Sequence, residues 1–135
     1  MKPVKVFNIT LPNKPLSNFE LEDAAKQLKI KNFSGVFLRD NLLSKPLKNE
    51  CGILNLDTSE GTHWVAWYKK NNTTNDFSYG IQPPLEFENY MDNDIYYSSQ
   101  QIQKPNQVIC GHLCLHFLKC FSNGMTFDEM LNSLH

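Results

Sequence analysis

Gln103-Lys-Pro-Asn-Gln-Val-Ile-Cys110-Gly-His-Leu-Cys114-Leu-His-Phe-Leu-Lys-Cys120 is the stretch on which the fold turns. Lys104-Pro105-Asn106 interrupts regular structure, because proline lacks an N–H and restricts the residue before it. From Gly111 onward Leu113, Phe117, Leu118 and Phe121 recur at helical spacing. The segment therefore reads as a polar loop, a cysteine-glycine pair and an apolar helix, with Cys110 at or just before the helix N-terminus. Unpaired N–H groups and the helix dipole at that end stabilise a thiolate and lower a thiol pKa. A structural cysteine gains nothing from that position, whereas a nucleophile does.

Upstream, the sequence predicts a helix, then strands. Residues 1–16 carry three prolines and read as an extended arm that Val4, Val6 and Ile9 pin as an edge strand. Ser17-Asn-Phe-Glu20 is a capping box, placing a helix from about Asn18 to Leu28. Its apolar stripe is read as Phe19, Leu21, Ala24, Ala25 and Leu28. Gly35–Leu38, Cys51–Leu56 and His63–Tyr68 read as strands, the last the richest in aromatic and β-branched residues. Residues 69–76 read as a polar turn leading to a partner strand over Phe77–Ile81. Residues 85–99 read as a surface helix or irregular excursion. Asn123-Gly124 stops the cysteine helix, and Thr126-Phe-Asp-Glu129 opens a short C-terminal one. This order predicts an α+β fold, with a small mostly antiparallel sheet packed with helices.

The 135 residues suit one domain, taken here as 1–135. Thirteen basic and fourteen acidic side chains leave a net charge of -1, with no strong overall pull toward nucleic acid. No apolar run reaches the roughly 20 residues of a membrane helix, and the N-terminus lacks a signal-peptide core. The expectation is a protein that is not secreted and has no membrane partner, with four cysteines present as thiols.

A thiolate nucleophile needs a base. His135 is terminal. His112 lies two residues beyond Cys110, about 200° around a helix, and so faces away from the sulfur. His63 remains, at the head of the strongest strand. It reads equally as a base or as a histidine packed beside Trp64 and hydrogen-bonded to backbone. Zinc is the competing chemistry, because Cys110, His112, Cys114 and His116 alternate and a strand would align them on one face. A helix sets the cysteine pair and the histidine pair apart. Cys51, Cys114 and Cys120 read as small core residues.

Gly61-Thr-His63-Trp64, together with Gln103 seven positions before Cys110-Gly111, resembles the adenovirus endopeptidase (adenain) family of cysteine proteases. Glu50-Cys-Gly-Ile-Leu-Asn-Leu-Asp57 is similar to the strand leading into that family's histidine, and Gly80-Ile-Gln-Pro-Pro84 to the segment after its acid. The resemblance spans roughly residues 17 to 134 and is nearest the compact versions in Maverick/polinton elements and virophages. It implies a papain-like/adenain-like fold with the nucleophile starting a central helix. The order His, acid, Gln, Cys is permuted relative to papain.

The resemblance also implies roles. Cys110 would be the nucleophile, His63 its base, Gln103 an oxyanion donor together with the Cys110 backbone N–H, and Trp64 a wall of the substrate site. No cofactor is implied. The family's acid position is occupied by Phe77, and the nearest acid, Asp76, stands one residue early. Either a bulge at 76–77 turns Asp76 toward His63, or the acid comes from elsewhere, or the unit is a dyad. The implied substrates are precursor capsid or core proteins cut at small, Gly-containing sites, inside a virion or host cell. A peptide or DNA activator is implied by family resemblance only. A ubiquitin-like-protein protease, an inactive protease-fold binding module and a zinc-binding domain are the alternatives.

Overall fold

A computed structural model describes residues 3–38, 49–55, 64–70, 73–77, 95–97, 110–125 and 129. They form a small α+β structure of two helices and two sheets. Strands β1 (Val4–Val6) and β2 (Ile9–Leu11) make an antiparallel hairpin. Helix α1 (Asn18–Leu28) follows. Strands β3 (Phe33–Leu38), β4 (Glu50–Asn55), β5 (Trp64–Lys70), β6 (Thr73–Phe77) and β7 (Ile95–Tyr97) form a five-stranded sheet in sequence order. Helix α2 (Cys110–Ser122) packs on β5.

The caps account for the helix boundaries. Ser17 Oγ accepts from Glu20 N–H while Glu20 Oε1 accepts from Ser17 N–H, both at 3.1 Å, so the capping box forms as the sequence predicts. At the other end Ile30 N–H donates to Ala25 O and Lys29 N–H to Lys26 O. That is a Schellman closure with Lys29 in the left-handed region, φ 56° and ψ 46°. An L-residue pays for that conformation, and glycine does not. Lys29→Gly should therefore stabilise the fold by about 0.5–1 kcal/mol net of the extra freedom of the unfolded chain. A urea midpoint that rises with an unchanged m-value would show it; a fall would mean that the lysine side chain contributes more than its backbone costs. Helix α2 ends in the same way, with Gly124 (φ 89°) donating to Phe121 O and Met125 to Cys120 O.

Four expectations need correction. Phe19 is 75% exposed and no part of the buried stripe of α1, which is Leu21, Ala24, Ala25 and Leu28. At 100° per residue Phe19 lies opposite the middle of that stripe. The sheet is mixed rather than mostly antiparallel: β4–β5 and β5–β6 are antiparallel, but β3–β4 and β6–β7 are parallel. Residues 69–76 are largely strand, since β5 runs to Lys70 and β6 begins at Thr73, while part of 85–99 supplies β7. Thr73-Thr74 sit in the paired strand, as β-branched residues prefer. The C-terminal helix expected from Thr126 lies outside the described residues except for Glu129, which is helical.

Both faces of the central strands are buried. Cys51, Ile53, Trp64, Ala66 and Tyr68 join α1 and α2 in one apolar core. Gly52, Leu54, Val65 and Trp67 alternate onto the other face and are also buried. Burial on both sides explains why β4 reads as an unbroken apolar run. No helix among the described residues is long and apolar enough to cross a membrane.

Candidate active site

Cys110 is the first residue of α2, as the loop-to-helix reading predicts. The helix is buried almost all round, with Cys114, Leu115, Phe117 and Leu118 fully enclosed, so it is the central helix of the fold. Its N-terminal turn is fixed by three elements. A β-carbon placed on Gly111 would lie 3.1 Å from Leu21 Cδ2, 3.4 Å from Trp64 Cδ1 and 3.5 Å from Leu16 Cδ1. Leu16 and Leu21 flank the α1 capping box as a hydrophobic staple, and Gly111 permits their close approach. Trp64 Nε1 donates to Leu16 O at 3.1 Å, which locks the start of β5 to the entry of α1. Trp64 is 6% exposed and belongs to the core, so it supports the helix start from beneath instead of offering a broad wall to substrate.

All four cysteines are buried thiols, but not equally. Cys110 is 5% exposed, against 0% for Cys51 and Cys114 and 1% for Cys120. Cys51 Sγ donates to Lys31 O at 3.3 Å, and burial, reinforced by the Glu50 carboxylate, pushes its thiol pKa far up. That makes Cys51 inert as a nucleophile. Cys120 Sγ lies 3.5 Å from His116 Nε2, a thiol–imidazole contact that spacing on a helix allows at i, i+4. His116 is stacked on Phe7 at 5.2 Å, and burial holds its pKa below the ordinary histidine value. This half-buried imidazole beside a buried sulfur packs the hairpin onto α2.

His112 has a structural task as well. Its Nε2 lies 2.8 Å from Pro12 O, and with the carbonyl as acceptor the imidazole N–H donates, tying the residue after β2 to α2. The helical reading thus separates the two histidines from Cys110 as expected. Among the described residues no group of three or more Cys, His, Asp or Glu side chains converges.

His63 and Gln103 lie outside the described residues. Asp76 and Phe77 are placed by their backbone. The bulge at 76–77, one of the three alternatives for the orienting acid, is not there: pairing runs without a break from Lys70↔Thr73 through Trp67↔Asp76 to Ala66↔Phe77. Opposed residues of an antiparallel pair share a face. Position 76 thus falls with Trp67, on the side of the sheet away from α2, and position 77 with Ala66, on the α2 side.

A residue the sequence reading passed over shares a face with Trp64. Asn55 ends β4 directly opposite Trp64. Its Oδ1 is buried and has no hydrogen-bond partner among the described residues. An orphaned acceptor of that kind costs about 1–3 kcal/mol and is uncommon in native interiors. The only sequence signal was a lone polar residue closing an apolar strand.

The arrangement is a small α+β fold with a cysteine at the start of its central helix, braced by the residue that follows the strand-leading histidine. No protein-family model matches the chain, and no curated protein matches it.

Proposed function

We propose that this chain is a cysteine endopeptidase of the adenain-like, papain-like class, acting on capsid or core precursors of a virus or virus-like element. One observation carries the reading: Trp64, covalently next to His63, packs against the turn that contains Cys110. Residues far apart in sequence, and flanking both members of the expected dyad, thereby meet at one helix N-terminus. The thiolate would attack the scissile carbonyl, and His63 would take the thiol proton and return it to the leaving amine. The backbone N–H of Cys110 and the Gln103 amide would hold the oxyanion. The direct test is incubation with candidate capsid precursors, mapping of any cut by mass spectrometry, and loss of the cut after Cys110 is alkylated.

The orienting group in this proposal is Asn55 in place of Asp76. An amide oxygen can accept the second N–H of an imidazole and hold its ring, as in Cys-His-Asn units. Asp76→Asn should then change kcat/KM by less than about threefold, whereas Asn55→Ala should lower it by about tenfold or more. The reverse ranking would restore the acid and remove Asn55. Gln103→Ala should cut kcat by about 100- to 1,000-fold with KM nearly unchanged, because an oxyanion donor acts in the transition state. An effect confined to KM would make Gln103 a substrate-binding residue.

A further inference from the structure

We propose that the cleft at the C-terminal ends of α1 and α2 binds a compact small molecule bearing several phosphate groups. The cleft has a volume of about 880 Å³, within the range of small-ligand sites. Lys29 and Lys31 border it from the segment after α1 and Lys119 from the last turn of α2. No carboxylate lies among its described lining residues. None of these three lysines forms an ion pair with a described residue; the ion pair among the described residues is Lys14–Glu20, away from the cleft.

The charge balance favours an anion. Lys69 borders the cleft but is 7% exposed and alternates onto the other face of β5, with Trp67 and opposite Glu50, so its charge is not counted for the ligand. Among the described residues the opposing charge comes from the two helix C-termini. Each helix end amounts to about half a negative charge. Both ends are already closed by backbone N–H groups, as the Schellman bonds show. Three ammonium charges thus face about one negative charge among the described residues, a surplus of about two in a chain whose net charge is only -1. Asn32, Asn49 and Asn123 line the same space and supply amide donors between the charges.

Rigidity argues for a built site. Lys31 N–H donates to Ser122 Oγ at 3.0 Å, linking the α1 exit to the end of α2. Tyr68 and Phe121 stack at 5.2 Å with 23° between their planes and form a fixed floor. The cleft is at the far end of α2 from Cys110, separated by about 18 Å along a 13-residue helix. It is therefore distinct from the candidate active site, and the proposal does not depend on protease activity.

The test is calorimetric titration of the chain with myo-inositol hexakisphosphate at 0.15 M salt. The expected result is one molecule bound per chain with Kd of about 10 μM or tighter. Lys29→Gln/Lys31→Gln/Lys119→Gln should weaken it by about 50-fold, since charge-assisted bonds to phosphate are lost. Cys110→Ala should leave it unchanged. In parallel, ligand should protect Lys29, Lys31 and Lys119, but not Lys5 or Lys26, from acetylation as read by mass spectrometry. That readout uses the unaltered chain and does not require the triple variant to fold. Absence of binding at 1 mM, or equal protection of all these lysines, would overturn the site. Tighter binding of single-stranded DNA that grows with oligonucleotide length would overturn the compact ligand in favour of an extended nucleic-acid surface.

Discussion

Replacing Cys110 with alanine should abolish the proposed cleavage and leave the fold in place. Alanine is the best helix former, and the sulfur removed sits at the edge of the core, so little packing is lost. Circular dichroism and the urea midpoint should stay near those of the unaltered chain while turnover falls to background. His63→Ala should be nearly as damaging, because nucleophile and base act as a unit and their effects are not additive. The same assignment predicts selective alkylation. Iodoacetamide or a peptide aldehyde should modify Cys110 well before Cys51, Cys114 or Cys120. Those three are fully enclosed, and burial further disfavours the Cys51 thiolate. Residual activity in Cys110→Ala, or equal labelling of the four thiols, would remove the mechanism.

The largest expected effect on stability belongs to Gly52. This residue lies in β4 under the indole of Trp67, and an added β-carbon would come 2.5 Å from Trp67 Cη2 and 2.9 Å from Gly35 O. Neither neighbour can yield cheaply. The carbonyl is part of the parallel β3–β4 pair. The indole is enclosed, borders Phe37 at 6.1 Å, and donates through Nε1 to Glu50 Oε2 at 3.2 Å. Moving it would strip a hydrogen bond from a buried carboxylate. Gly52→Ala should cost about 2 kcal/mol and Gly52→Val about 4 kcal/mol, the second near the upper limit for a single substitution. Chemical denaturation would measure both. A loss under about 0.5 kcal/mol, the usual range for an innocuous surface change, would mean that the indole stacks elsewhere. The effect on cleavage should follow the folded fraction only, since Gly52 faces away from α2.

The sequence by itself was enough wherever the signal is local. The Ser17–Glu20 capping box, the start of α2 at Cys110, the stop at Gly124 and the strands around Gly35, Cys51 and Trp64 each depend on residues within a turn or two of one another. Backbone donors at a helix end must be satisfied nearby, so their partners are written nearby. The turn read over 69–76 went the other way, because Asn- and Thr-rich composition fits a turn or a polar strand equally well until a partner strand decides. Strand partners are chosen over long separations, and only the tertiary structure made β3–β4 and β6–β7 parallel and fixed the unbroken register that puts Asp76 opposite Trp67. Asn55 became a candidate orienter only once β4 paired with β5. The lysine cleft is the extreme case. Lys29, Lys31 and Lys119 come from two separate segments of a nearly neutral chain. Charge is additive along a sequence, but a field is set by distance, and distance between segments is what folding alone supplies.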